Sequence, residues 1–164
     1  MTIGDLNQLD QKDFVRTVGW IFEESAWVAE RAWDAHPFDN VDALHRAMVE
    51  QVERATFTEN LALLKAHPDL GSRARLSQAS TEEQAGAGLD SLTPGEFERL
   101  HRLNAVYRGR FGFPFLLAVK GSTKDDILHA LQTRMEARAD DEFREALRQV
   151  YRIARFRLEE LITS

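Results

Sequence analysis

The sequence predicts an all-α fold: a single-domain helical bundle over residues 1–164, with one extended apolar segment near 113–119. Three observations predict it. Apolar residues recur three or four positions apart in one segment after another, residues suited to helix caps precede most of those segments, and no strands alternate with them. The length fits one domain able to bury a real core, and 43% hydrophobic with 29% charged residues excludes wholesale disorder.

In chain order, Asp10 is placed to cap a helix through about Glu24, with Phe14, Val18, Ile21 and Phe22 on one face. Ser25 starts the next, which carries Trp27, Val28 and Trp33, and His36-Pro37-Phe38-Asp39-Asn40 reads as a connecting loop. Asp39 or Asn40 opens a helix through Leu44, Met48, Val52 and Ala55. Thr58 is expected to cap the following one, which carries Leu61 and Leu64 and ends at His67. Ser80-Thr81-Glu82-Glu83-Gln84 precedes the small residues Ala85-Gly86-Ala87-Gly88. Each glycine costs about 1 kcal/mol relative to alanine in a helix interior, so a short turn presenting polar groups is expected there.

Thr93-Pro94-Gly95-Glu96 is a sharper start signal, a cap followed by proline at the first helical position and glutamate three residues after the cap. Its helix carries Phe97, Leu100, Asn104, Tyr107 and Phe111 and stops near Gly112. Beyond the extended run, Ser122 or Thr123 caps a helix bearing Ile127, Leu128, Leu131 and Met135. Asp140 opens the last, with Phe143, Leu147, Val150, Ala154, Leu158 and Ile162 at helical spacing.

The inventory removes several chemistries. With no cysteine there is no disulfide, thiolate metal site or cysteine nucleophile. The histidines at 36, 45, 67, 101 and 129 include no i, i+4 pair, so no metal is expected. Neither a nucleophile elbow nor a phosphate-binding glycine loop is present, and no cofactor is expected. A net charge of −6 argues against a general nucleic-acid binder. No run approaches the roughly 18 apolar residues of a membrane span, and Met1 to Gln8 lacks a basic start followed by an apolar stretch. The expectation is a soluble, cytoplasmic protein with no membrane partner.

Four features remain, each with two readings. In the stretch Lys65-Ala66-His67-Pro68-Asp69-Leu70-Gly71-Ser72-Arg73, the proline disfavours helix at His67, so the ring sits just past a helix C-terminus. If exposed there, the helix dipole favours imidazolium by about 0.3–1 kcal/mol. That makes either a proton donor or a stop signal, and His36-Pro37 shows that the dipeptide alone does not decide. Ser80 and Glu83 have capping-box spacing, which serves a helix start or a ligand. The run after Gly112 has no partner strand, so it is a buried connector or offers its main chain to a ligand. Arg152, Arg155 and Arg157 lie among apolar residues, either paired with carboxylates or reserved for a planar anionic or ureido ligand.

Taken in order, His67-Pro68-Asp69-Leu70, the stretch Ser80 to Leu89, Asn104-Ala105-Val106-Tyr107, Phe111-Gly112-Phe113-Pro114-Phe115 and Arg152-Ile153-Ala154-Arg155-Phe156-Arg157-Leu158 resemble the OHCU decarboxylase family. OHCU is 2-oxo-4-hydroxy-4-carboxy-5-ureidoimidazoline, a labile intermediate between urate and allantoin. The resemblance spans essentially the whole chain. It implies an all-α, cofactor-independent carboxy-lyase of purine catabolism, typically a homodimer, that converts OHCU to S-allantoin and carbon dioxide.

Carried over by position, the resemblance implies His67 as the catalytic proton donor, Glu83 as the group that orients substrate, and Pro68 as a lining residue. It implies Ser80, Thr81, Glu82, Glu83 and Gln84 as contacts to ring or ureido groups. Phe115, Leu116, Leu117, Ala118 and Val119 are implied to bind largely through their main chain. The family's C-terminal arginine falls on Arg157, with Arg155 as the alternative. Gly71-Ser72-Arg73 and Lys120-Gly121-Ser122 carry no assigned role. Two other readings stay open: a non-catalytic helical interaction module that docks through residues 113–119, and a decarboxylase of a related ureido or imidazoline acid.

Overall fold

The computed structural model describes residues 1–71 and 77–163, and among these the backbone forms nine α-helices, one 3-10 turn and no strand. The all-α expectation holds. The chain divides into two compact units, Met1–Ala66 with Tyr151–Ser164, and His67–Val150.

In the first unit, α1 (Ile3–Asn7) is a single turn boxed by Thr2 and Asp5, too short to leave a periodic signature. Asp10 caps α2 (Gln11–Val18) as expected, accepting from the Asp13 N–H at 2.8 Å. The helix ends at Val18 rather than near Glu24, and residues 19–24 form turns. Ile21 and Phe22 are still buried, so the periodicity there reports burial rather than helix. Ser25 is not the cap of α3 (Trp27–Ala32), because its hydroxyl donates to the Glu23 carbonyl at 2.7 Å and Ala26 takes the cap position. After the 3-10 turn Trp33–Ala35, Asn40 caps α4 (Val41–Arg54). Helix α3 packs against both α2 and α4.

Helix α5 (Phe57–Lys65) starts two residues before the expected position. Thr56, not Thr58, is its cap, because Glu59 reaches back to the Thr56 N–H and closes a capping box. The core of this unit gathers Leu6, Phe14, Leu44, Met48, Leu63 and Leu64.

In the second unit, residues 78–86 form a nine-residue helix, α6 (Gln78–Gly86), where a short polar turn was expected. Gly86 is its last residue, so it avoids the interior cost of glycine. Ser77 is the cap and accepts from the Ser80 N–H at 3.1 Å, which removes Ser80 and Glu83 from the capping role.

Helix α7 (Pro94–Phe111) has the expected Thr93–Glu96 box and stops at Gly112, which has φ 82°. Thr123 caps α8 (Lys124–Arg134), and α7 packs on α8. Helix α9 (Ala139–Leu161) begins one residue before Asp140. It lies in the second unit as far as Val150 and in the first beyond it. Residues 114–119 have no regular structure, and Phe115, Leu116, Ala118 and Val119 are buried. Tyr107 stacks its edge against Phe115, with ring centroids 5.3 Å apart. No helix among the described residues is long and apolar enough to cross a membrane.

Candidate active site

His67 follows the C-cap of α5, Ala66, whose N–H closes the last turn onto Ala62. His67 is only 6% exposed, so the dipole value for an exposed site does not apply. Three polar contacts hold the chain beyond it, two of them on its backbone. Arg108 donates to the Asp69 carboxylate at 2.7 Å, Asn104 donates to the Leu70 carbonyl at 2.9 Å, and the Gly71 N–H donates to Gln84 Oε1 at 2.8 Å. Leu100, Asn104 and Arg108 lie at i, i+4 and i+8, one stripe of α7. Gly71 has φ 72°, which favours glycine, and a Cβ there would come within 2.5 Å of Leu100 Cδ2 and displace that side chain. Ser72 and Arg73 lie outside the described residues.

Helix α6 divides the stretch Ser80 to Gln84 between two environments. Ser80 and Gln84, one turn apart, are buried, whereas Thr81 and Glu82 are exposed and Glu83 is half-buried. Thr81 donates to the Ser77 carbonyl at 2.9 Å, and Glu82 accepts from Gln78 at 3.1 Å. Pro68 is half-buried.

In the segment 115–119, the Ala118 N–H donates to Gln149 Oε1 at 3.0 Å and the Leu116 carbonyl accepts from Arg134 Nη1. Arg134 places its guanidinium 4.5 Å from the centre of the Phe115 ring and pairs with Glu142 at 2.6 Å. The Tyr107 hydroxyl donates to the same carboxylate, and burial followed by that carboxylate pushes its pKa well above the usual tyrosine range.

Arg155 and Arg157 of the C-terminal motif pair with carboxylates. Arg155, partly exposed, bonds Asp42 and, at 2.7 Å, Glu159, and these partners raise its pKa further. Arg157 is buried against Glu23, also buried, at 2.9 Å, with Nη1 directed at the Ile21 carbonyl at 3.3 Å. Arg152 is exposed.

Two of the other histidines, His36 and His45, have structural surroundings. His36 lies flat on Trp33, with centroids 3.9 Å apart. His45 Nε2 is 2.8 Å from the Tyr151 carbonyl, and burial lowers its pKa. Among the described residues, no group of three or more His, Asp or Glu side chains is placed to hold a metal ion. Sequence reasoning missed Glu23, Arg134, Glu142 and Gln149 and gave Asn104 no role of its own. Their one available signal was a polar residue within or beside an apolar stripe.

Residues 7–159 match the family model for OHCU decarboxylase. The chain belongs to the OHCU decarboxylase family. It is 47% identical over 161 residues to the 2-oxo-4-hydroxy-4-carboxy-5-ureidoimidazoline decarboxylase of Halalkalicoccus jeotgali, across 98% of this chain and 92% of that one. The similarly named protein of Haloferax volcanii is 47% identical across 100% of this chain and 98% of its own length. A uric acid degradation bifunctional protein of Bacillus subtilis is 48% identical over 99% of this chain, which spans 33% of that protein.

Among solved structures, a crystal structure of (S)-allantoin synthase superposes with a TM-score of 0.82 at 35% identity, covering 99% of this chain and 54% of that one. A crystal structure of OHCU decarboxylase in the presence of (S)-allantoin shares the fold, with a TM-score of 0.74 at 23% identity over 88% of this chain and 96% of that one. The OHCU decarboxylase resemblance read from the ordered motifs is therefore correct, although each motif is short.

Proposed function

We propose that this chain decarboxylates OHCU to S-allantoin and carbon dioxide in urate catabolism. The observation that carries the reading is the family match over residues 7–159. The geometry of the second unit agrees with it, since a buried histidine and a helix with inward Ser80 and Gln84 belong to one compact body.

When the carbon–carboxylate bond breaks, its electron pair delocalises into the neighbouring imidazoline system, so the ring itself is the electron sink. Protein groups have to orient the carboxylate, stabilise charge on the ring, and return a proton to carbon from one face. His67 is the proposed donor, beside Pro68, because an imidazole carries and releases protons near neutral pH. Glu83 orients the substrate, and the wall from Ser80 through Thr81 and Glu82 to Gln84 addresses the ring or ureido groups, with Ser80 and Gln84 as its inward members. Phe115, Leu116, Leu117, Ala118 and Val119 bind through the main chain. Arg157 is the proposed substrate arginine on the resemblance, although it pairs with Glu23 as Arg155 does with Asp42 and Glu159. A proton from a fixed side yields one enantiomer, which explains the use of an enzyme on a labile compound.

We assign residues 1–164 to one such domain, acting as a cofactor-independent homodimer in the cytoplasm. The resemblance implies the assembly, and the sequence gives the expectation for the compartment. Light scattering on the purified protein checks the dimer. OHCU generated in situ from urate tests the activity: its ring absorbance should decay faster with the protein present, and the allantoin formed should be optically active. Unaccelerated decay to racemic product would overturn the proposal.

A further inference from the structure

We infer that Arg134 and Gln149, with Glu142 and Tyr107 behind Arg134, are positioning residues that aim the main chain of Leu117 at the substrate. The inference rests on the proposed decarboxylase reading, in which the segment 115–119 contacts the ligand.

A segment without regular structure has no neighbouring strand to fix its peptide planes, so any precise use of its backbone requires clamps from elsewhere. Two clamps flank Leu117. Arg134 Nη1 holds the Leu116 carbonyl, and Gln149 Oε1 holds the Ala118 N–H at 3.0 Å. The only cis peptide among the described residues is His36-Pro37, so both peptide units around Leu117 are trans and planar. In a trans peptide the N–H points opposite to the carbonyl of the same plane. Holding the Leu116 carbonyl therefore aims the Leu117 N–H away from Arg134, and holding the Ala118 N–H aims the Leu117 carbonyl away from Gln149. Leu117 is also the one half-exposed residue between buried Leu116 and Ala118. The result is a donor and an acceptor on one residue, both of fixed direction. That pair complements a ureido or lactam edge, which presents a carbonyl beside an N–H.

The carboxylate behind Arg134 supports the same assignment. Glu142 is 1% exposed and accepts hydrogen bonds from Arg134 Nε at 2.8 Å and from the Tyr107 hydroxyl, with Arg134 Nη2 in ion-pair contact at 2.6 Å but outside hydrogen-bond geometry. A buried ion pair is weak evidence for stability, because well-packed apolar side chains often serve as well. A guanidinium is rigid and planar, however, so holding Nε on Glu142 while the Leu116 carbonyl takes Nη1 sets the orientation of the whole group. No apolar replacement reproduces that direction.

The test compares kcat, KM and melting temperature for Gln149→Met, Gln149→Glu, Arg134→Lys and Tyr107→Phe on OHCU, with calorimetric binding of allantoin as a second readout. Loss of a clamp weakens ground-state and transition-state binding alike. Gln149→Met and Arg134→Lys are therefore expected to raise KM about tenfold with kcat within about threefold, and to weaken allantoin binding in parallel. Gln149→Glu keeps an acceptor for the Ala118 N–H and should recover most of the loss. Tyr107→Phe should show a smaller shift in the same direction. A purely structural role predicts the opposite split: kcat falls with the folded fraction while KM stays put. If Arg134→Lys does not fold, Gln149→Met decides alone. An active wild type with the KM of Gln149→Met unchanged within about twofold overturns this inference only. A wild type without turnover overturns the proposed function and this inference with it.

Discussion

Two His-Pro dipeptides close helical segments in this chain, and their surroundings differ. His36 follows the 3-10 turn and rests on Trp33 with the ring planes 8° apart, partly open to solvent. His67 follows α5, is buried, and is succeeded by three residues each held by a side chain from α6 or α7. The dipeptide accounts only for the stop. What separates a candidate catalytic histidine from a stacked one is the fixing of the backbone beyond it by residues far away in sequence.

The largest test of that comparison exchanges the rings themselves. His67→Gln should lower turnover by about 10²–10⁴-fold, the usual scale of general acid catalysis, with little change in melting temperature. His36→Gln should leave turnover within about twofold of wild type. Equal behaviour of the two variants in a rate assay would erase the distinction.

A second test removes the support rather than the ring. Asn104→Ala leaves the Leu70 carbonyl unpaired, at a cost of about 1–3 kcal/mol in denaturant unfolding. Asn60→Ala is its control, since Asn60 is also buried and donates to a backbone carbonyl, that of Val52, at 2.9 Å. Both should lose stability, Asn60→Ala the less because the Val52 carbonyl keeps the Ala55 N–H, and only Asn104→Ala should also lower kcat under conditions where the protein is fully folded.

Smaller effects separate capping from chemistry on α6. Ser77→Ala should destabilise by about 1 kcal/mol, the usual value of an N-cap, with turnover retained in the folded protein. Glu83→Gln should do the reverse, lowering turnover at unchanged melting temperature. If Glu83→Gln instead behaved like Ser77→Ala, its substrate role would fall.

The smallest effect concerns the entry to α5, the helix that leads into His67. Arg31, then the Thr56 N–H, hold the Glu59 carboxyl down to about 2 from its ordinary 4.5. The unfolded chain therefore binds more protons in acid, so the stability from this group is complete above about 4.5 and is lost as pH falls toward about 2. Glu59→Gln should melt below wild type at pH 7, and the gap should close through that window. The effect should also shrink with added salt, because Glu59 and Arg31 are both partly open to solvent.

The starts of α2 and α7 were legible, and those of α4 and α8 to within one residue, because a cap is a local object. Asp10, Asn40, Thr93 and Thr123 each bond a backbone N–H three residues on. The errors have local causes too. Residues 19–24 keep a buried pattern through turns, so α2 read as too long. Thr58 and Thr56 are the same residue type, and only the reach of Glu59 back to Thr56 separates them. Ser77 lacks an acidic residue three positions later, so the accidental spacing of Ser80 and Glu83 looked like the better box.

At the candidate site, His67 was marked by Pro68, but its supports were not marked at all. Gln84 meets Gly71 across 13 residues, Gln149 meets Ala118 across 31, Asn104 meets Leu70 across 34, and Tyr107 meets Glu142 across 35. No periodicity or cap rule operates at those separations.

By itself the sequence determined the all-α class, the caps of α2 and α7, the break at His67 and, through its ordered motifs, the OHCU decarboxylase family. Those properties follow from interactions between residues a few positions apart, or from an order of motifs that needs no coordinates. Only the tertiary structure decided that His67 is buried while His36 is stacked at the edge, that Arg157 faces Glu23, and that two side chains clamp the backbone around Leu117. Buried polar groups must find partners wherever the packed chain supplies them, and that supply is set by the fold rather than by neighbours in sequence.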